Sequence, residues 1–114
     1  MPFEPGQILL VEFPFTDHGS AKMRPVVVVS LYTFNVGEDF VALPISSRVG
    51  RDDQYSFALL STSSYFSATG LKYDSSVKWT KPMTISSRIV KRKMGTLAKE
   101  PLAELQRLVK TMFS

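Results

Sequence analysis

The 114-residue chain has no cysteine, one histidine and one tryptophan. Each scarcity closes off chemistry. Without cysteine there are no disulfide frameworks, thiolate nucleophiles or Cys-ligated zinc. With His18 the sole imidazole, soft metal ligands are nearly absent, and the expectation is a protein without metal or cofactor. A reducing cytoplasm is the compartment such a composition suits. No apolar run approaches the roughly 18 residues of a membrane span, and residues 1–6 lack the basic start and apolar core of a signal peptide. Glycine-rich phosphate loops, His-Glu metal helices and nucleophile elbows are also missing. Two acidic pairs are present, Glu38-Asp39 and Asp52-Asp53. Adjacent strand residues point to opposite faces, so they read as solvated turn charge rather than acid/base dyads.

What remains is the apolar content of an ordinary globular domain, 44% hydrophobic against 21% charged. The length predicts a single domain spanning 1–114 and excludes a two-domain enzyme. The net charge of +4 is unevenly placed. Residues 1–69 hold four cations against seven carboxylates, net −3, whereas residues 70–114 hold ten cations against three, net +7. A positive half of this kind suits a polyanion or an acidic partner, and also a merely solvated surface.

The first half reads as strands and turns. Ile8 to Phe13 is apolar except for Glu12, and Pro14 ends it. After a turn-rich loop from Thr16 to Met23, Pro25 opens the β-branched run Val26 to Val29. Phe40 to Ile45 is a further apolar run, and Tyr55, Phe57 and Leu59 alternate with Ser56 and Ala58 at the period of a half-buried strand. Ser61 to Ser67 reads as a loop or short helical turn, Leu71 to Lys81 holds one strand, and Met83 to Val90 is ambiguous between strand and helix. Leu102, Leu105, Leu108, Val109, Met112 and Phe113 form one helical stripe, and Pro101 suits a first turn, so a helix is predicted over about 99–113. Five or more strands followed by one amphipathic helix predict a mainly β fold, a small curled sheet or barrel with the helix packed on one side.

The strongest local signal is Arg24-Pro25 before Val26-Val27-Val28-Val29-Ser30, followed by Pro44-Ile45-Ser46-Ser47-Arg48. With Gly6-Gln7-Ile8-Leu9-Leu10-Val11, Phe13 to Asp17, Thr84-Ile85 and Gly95-Thr96-Leu97, these elements resemble, in order along nearly the whole chain, the PemK/MazF family of toxins from bacterial toxin–antitoxin pairs. The resemblance implies an SH3-like β-barrel of the PemK/MazF/CcdB type with a C-terminal helix. It further implies a homodimer, metal-independent cleavage of single-stranded RNA, and a cognate antitoxin with an acidic tail. The family's catalytic arginine and threonine correspond to Arg24 and Ser46.

The chemistry of these residues agrees. RNA carries its own nucleophile, the 2′-OH, so cleavage needs proton transfer, alignment and stabilisation of the phosphorane charge. A guanidinium supplies a fixed bidentate cation, and serine keeps the hydroxyl of threonine while losing the β-methyl that restricts χ1. Arginine is a poor proton acceptor, which leaves His18 or a water as the acid/base group. Lys22, Ser47, Arg48, Lys78 and Lys81 are candidate RNA contacts. Trp79 and Tyr73 are candidates for stacking on bases, Trp79 being equally suited to a core or dimer position. Two departures from the family pattern stand out: residues 19–23 read Gly-Ser-Ala-Lys-Met where many members carry Ser-Glu-Gln, and residues 77–82 lack an Asp-Gln pair. A non-catalytic nucleic-acid-binding or regulatory protein and a CcdB-like gyrase inhibitor are the competing readings of the same fold.

Overall fold

The computed structural model describes residues 2–14, 21–47 and 54–113. Seven strands, β1 (Gln7–Pro14), β2 (Ala21–Val28), β3 (Asp39–Ser46), β4 (Ser56–Leu59), β5 (Ser75–Lys78), β6 (Met83–Ser86) and β7 (Val90–Thr96), form one antiparallel sheet. Two helices, α1 (Tyr32–Asn35) and α2 (Lys99–Thr111), complete the regular structure with 3₁₀ turns at Ser67–Thr69 and Ser87–Ile89. The expected C-terminal helix is therefore present as α2. Among the described residues no helix is long and apolar enough to cross a membrane.

The unbroken valine run has a simple cause. Most apolar strands alternate because one face is wet, but β1, β2 and β3 are covered on both faces. Ile8, Val27 and Leu43 lie across from one another and face a cluster with Ile45, Leu59, Val77, Trp79, Leu97 and Leu105. Leu105 comes from α2, which also packs Leu102, Leu108 and Val109 on this layer. Leu9, Val26, Val28 and Ala42 face the other way, into a second cluster with Phe40 and Ile85. Phe3 closes that layer edge-on against Phe40, ring centroids 5.1 Å apart. Where α1 meets the sheet, Asn35 is 2% exposed and fully used. Its amide donates to the carbonyls of Phe3 and Ser30, and its oxygen accepts from the Ser30 hydroxyl. Such satisfaction is what burial of an amide requires.

β3 is the junction of the sheet. Along one edge it pairs with β2. Along the other it pairs first with β6, through Ala42↔Met83, and then with β5, starting at Ile45↔Val77. Pro44 falls in the gap between those two ladders. β2 starts at Ala21, earlier than the position of Pro25 predicts, because β1 pairs with it from Pro14↔Ala21 onward. Pro25 lies one residue before the β2–β3 ladder begins. The basic segment Lys91-Arg92-Lys93 is strand β7, paired to β1 through Leu10↔Arg92 and Leu9↔Lys93. On that outer position the side chains reach solvent, as edge strands require.

The sheet is not closed into a barrel: its order runs β4-β5-β3-β2-β1-β7, with β6 attached to β3. Instead of β4, the 3₁₀ turn at Ser67–Thr69 lies against β7. Its backbone approaches so closely that a Cβ at Gly95 would collide with the Ala68 and Thr69 carbonyls, and a Cβ at Gly70 (φ 77°) with the Met94 carbonyl. Backbone on backbone cannot relax by a rotamer change. Gly95→Ala is therefore expected to destabilise the fold by at least about 2 kcal/mol, within the range for forced overpacking; an unchanged denaturant midpoint would refute this contact.

Candidate functional site

Arg24 sits in the first half of β2, exposed, with Val11 of β1 as its ladder partner. On the other side the β2–β3 register ends at Val26↔Pro44. Two residues further along the same register stand Arg24 and Ser46. Because strand side chains repeat every second residue, these two share the face of Val26 and Pro44. The valine end of that face is the second apolar cluster; past the two prolines β2 and β3 turn polar, while Val11 and Phe13 of β1 continue the cluster beside them.

Ser46 is half-buried and is also the ladder partner of Ser76 on β5. Ser76, 5% exposed, belongs to no motif that sequence reasoning singles out. Its only signal is a pair of serines opening the short strand Ser-Ser-Val-Lys. Lys78 lies on the same face two residues on, its ammonium donating to the Ser56 hydroxyl of β4 at 2.9 Å. Lys22 is exposed on β2, again on the face of Arg24. The strands thus bring Lys22, Arg24, Ser46, Ser76 and Lys78 onto one polar surface, while Ile45, Val77 and Leu59 point into the core behind it.

Three of the described cations are held in ion pairs. Arg88 pairs with Glu38, Lys91 with Glu12 and Arg107 with Glu104. Among the described residues Arg24 has no such partner, so its guanidinium is available to an anion.

Other predicted residues are placed differently. Trp79 is 8% exposed and belongs to the first core cluster, its ring centroid 5.9 Å from that of Tyr55. The ring is spent on packing rather than presented on the polar face. Lys81 is exposed in the turn after β5, its N–H donating to the Lys78 carbonyl. His18 and Arg48 lie outside the described residues, as do Asp52 and Asp53. Ser47 is exposed and lines an open depression of about 530 Å³ with Ser61, Lys72, Tyr73 and Asp74. The Ser61 amide donates to Asp74 Oδ1 at 2.6 Å. That bond, aided by the Ser61 hydroxyl, holds the carboxyl below the usual aspartate range.

A polar strand surface with an unpaired guanidinium, hydroxyls and a flanking ammonium can bind phosphate and stabilise charge developing on it. The Asp74 bonds carry a pH signature. A depressed folded-state pKa stabilises the fold above the ordinary aspartate value near 3.8, and the benefit is lost as pH falls through the lower folded value. An NMR titration of the Asp74 carboxyl is expected to have its midpoint below 3.8; a midpoint at or above that value would contradict the Ser61 bonds.

Comparison with known proteins gives a consistent result. The family described as "PemK-like, MazF-like toxin of type II toxin-antitoxin system" matches residues 4–113. No curated protein sequence matches. Among solved structures, a MazE-MazF crystal structure from Deinococcus radiodurans superposes with a TM-score of 0.77 at 19% identity, covering 98% of this chain and 96% of that one. The Mycobacterium tuberculosis toxin MazF-mt6 gives 0.71 at 18% identity, covering 94% and 95%. An endoribonuclease in complex with its cognate antitoxin from a mycobacterial species gives 0.69 at 14% identity, covering 96% and 91%. At such identities the superpositions speak for the fold.

Proposed function

Because this chain belongs to the family of PemK-like, MazF-like toxins of type II toxin–antitoxin systems, we propose that it is an endoribonuclease acting on single-stranded RNA through Arg24 and Ser46. The observation that supports this reading is the β2–β3 register, which ends at Val26↔Pro44 and, carried on by two residues, sets a hydroxyl and a guanidinium with no ion-pair partner among the described residues on one face. In the reaction the 2′ oxygen attacks the neighbouring phosphorus and the bond to the 5′ oxygen breaks. The 2′ proton passes to a base, His18 or a water, and the departing 5′ oxygen takes up a proton. Charge accumulates on the non-bridging oxygens in between. Arg24 meets that charge with a fork of N–H donors, and Ser46 donates one further hydrogen bond. Lys22 and Lys78 hold the flanking backbone, with Ser47, Lys81 and Arg48 as further contacts.

The chain also acts, on this reading, as a homodimer held in check by an antitoxin with an acidic segment. Two of the solved structures named above pair such a fold with an antitoxin. The net +7 of residues 70–114 suits the acidic partner.

The test is incubation of the purified chain with a long unstructured RNA in EDTA. Cleavage is expected to leave 2′,3′-cyclic phosphate and 5′-hydroxyl ends. Arg24→Ala is expected to slow it by about 10²- to 10³-fold, the usual loss when one donor to a developing oxyanion is removed. Cleavage equal in the two proteins would sink the assignment of Arg24. Salt-dependent binding without product would assign the chain instead to the non-catalytic RNA-binding reading.

A further inference from the structure

One residue past Ser46 opens the depression of Ser47, Ser61, Lys72, Tyr73 and Asp74, of which the proposed reaction uses Ser47 alone. Its walls have three distinct chemistries. Tyr73 is 70% exposed, an extravagant position for an aromatic ring with no packing role in either core cluster. Asp74 is a carboxylate fixed by the Ser61 amide. A carboxylate has about four acceptor sites, so donation from Ser61 leaves others for a ligand. Lys72 is exposed and makes no ion pair among the described residues.

The geometry points to this depression as a nucleobase subsite selective for guanine, an inference that rests on the reading of the chain as an RNA-cleaving toxin. Ser47 follows Ser46 in the chain, so the depression begins one residue past the proposed catalytic hydroxyl. Tyr73 offers a face on which an unpaired base stacks. Asp74 offers only acceptors, and guanine is the base whose Watson–Crick edge presents two adjacent donors, N1–H and the 2-amino group. Uracil presents a single N–H between two carbonyls, which a carboxylate repels. Adenine and cytosine each present an amino group beside a ring acceptor. Lys72 can hold the nucleotide's phosphate. An acidic peptide is the wrong occupant here, because Asp74 would face its carboxylates.

The experiment measures binding of the full chain to fluorescent 2′-O-methyl oligonucleotides, which lack the nucleophile and so report affinity independently of cleavage. Oligo-U containing one G is expected to bind about tenfold tighter than oligo-U, with one A or C giving little gain. Asp74→Asn keeps an oxygen for the Ser61 amide and replaces the other with a donor, so the preference for G should vanish, with only a small loss of thermal stability at neutral pH from the weakened Ser61 bonds. Asp74→Glu, which displaces the same charge, should also lose it. Tyr73→Ala should weaken every oligonucleotide at least fivefold, the scale of one base–aromatic stack. Equal affinity for all four bases, a G preference that survives Asp74→Asn, or an acidic peptide that competes better on the wild type than on the Asp74→Asn variant would overturn the subsite. A G preference without RNA cleavage would reject the reaction and retain the subsite; cleavage without the preference would do the reverse.

Discussion

Eight residues of β3 hold three neighbours. β2 takes one edge, and β6 and β5 divide the other on either side of Pro44. A proline in a central strand usually costs a ladder bond, and here it stands where the ladder changes hands. The arrangement lets the first half of β3 serve the layer of Phe40, Ala42 and Ile85 while the last residues turn to β5. Everything proposed for function depends on that handover. It ends the second apolar cluster just before Ser46, and it places Ser46 between the strand of Arg24 and the strand of Ser76.

On β2 and β3 the two prolines therefore divide one face into a dry half and a wet half. Pro25 and Pro44 lie near the same level of the β2–β3 pair, with valines on one side and Arg24 and Ser46 on the other. The dry half and the cluster beneath α2 make the strands rigid. Rigidity matters because a charge-stabilising group works by being in place before charge develops. On the proposed reading Ser46 stands where the family carries a threonine. Ser46 loses a χ1 restraint, but its backbone is held on one side by the ladder to Ser76 of β5.

Much of this was legible in the residues. The apolar runs at Ile8, Val26 and Phe40 and the alternation after Tyr55 became strands, and the stripe around Leu105 became α2. Arg24 and Ser46 were found through the resemblance, and their common face came only from the register. β7 was hidden because Lys91, Arg92 and Lys93 have no apolar period; β1 imposes the strand by pairing. α1 is four residues long, too short for any helical period to show. Closure was overestimated because nothing in the sequence announces that the turn at Ser67–Thr69 takes the place beside β7 that a closing strand would hold. The depression was invisible for a related reason. Ser47, Ser61 and Asp74 are far apart in the chain and meet through strand pairing and the Ser61 bond to Asp74.

The central claim is that Arg24 and Ser46 act on one phosphate. Single-turnover cleavage rates of the wild type, Arg24→Ala, Ser46→Ala and the double variant test it directly, because groups that serve the same transition state lose their effect together. The account predicts that the double variant is little slower than Arg24→Ala alone. Two independent losses that multiply in full would contradict it.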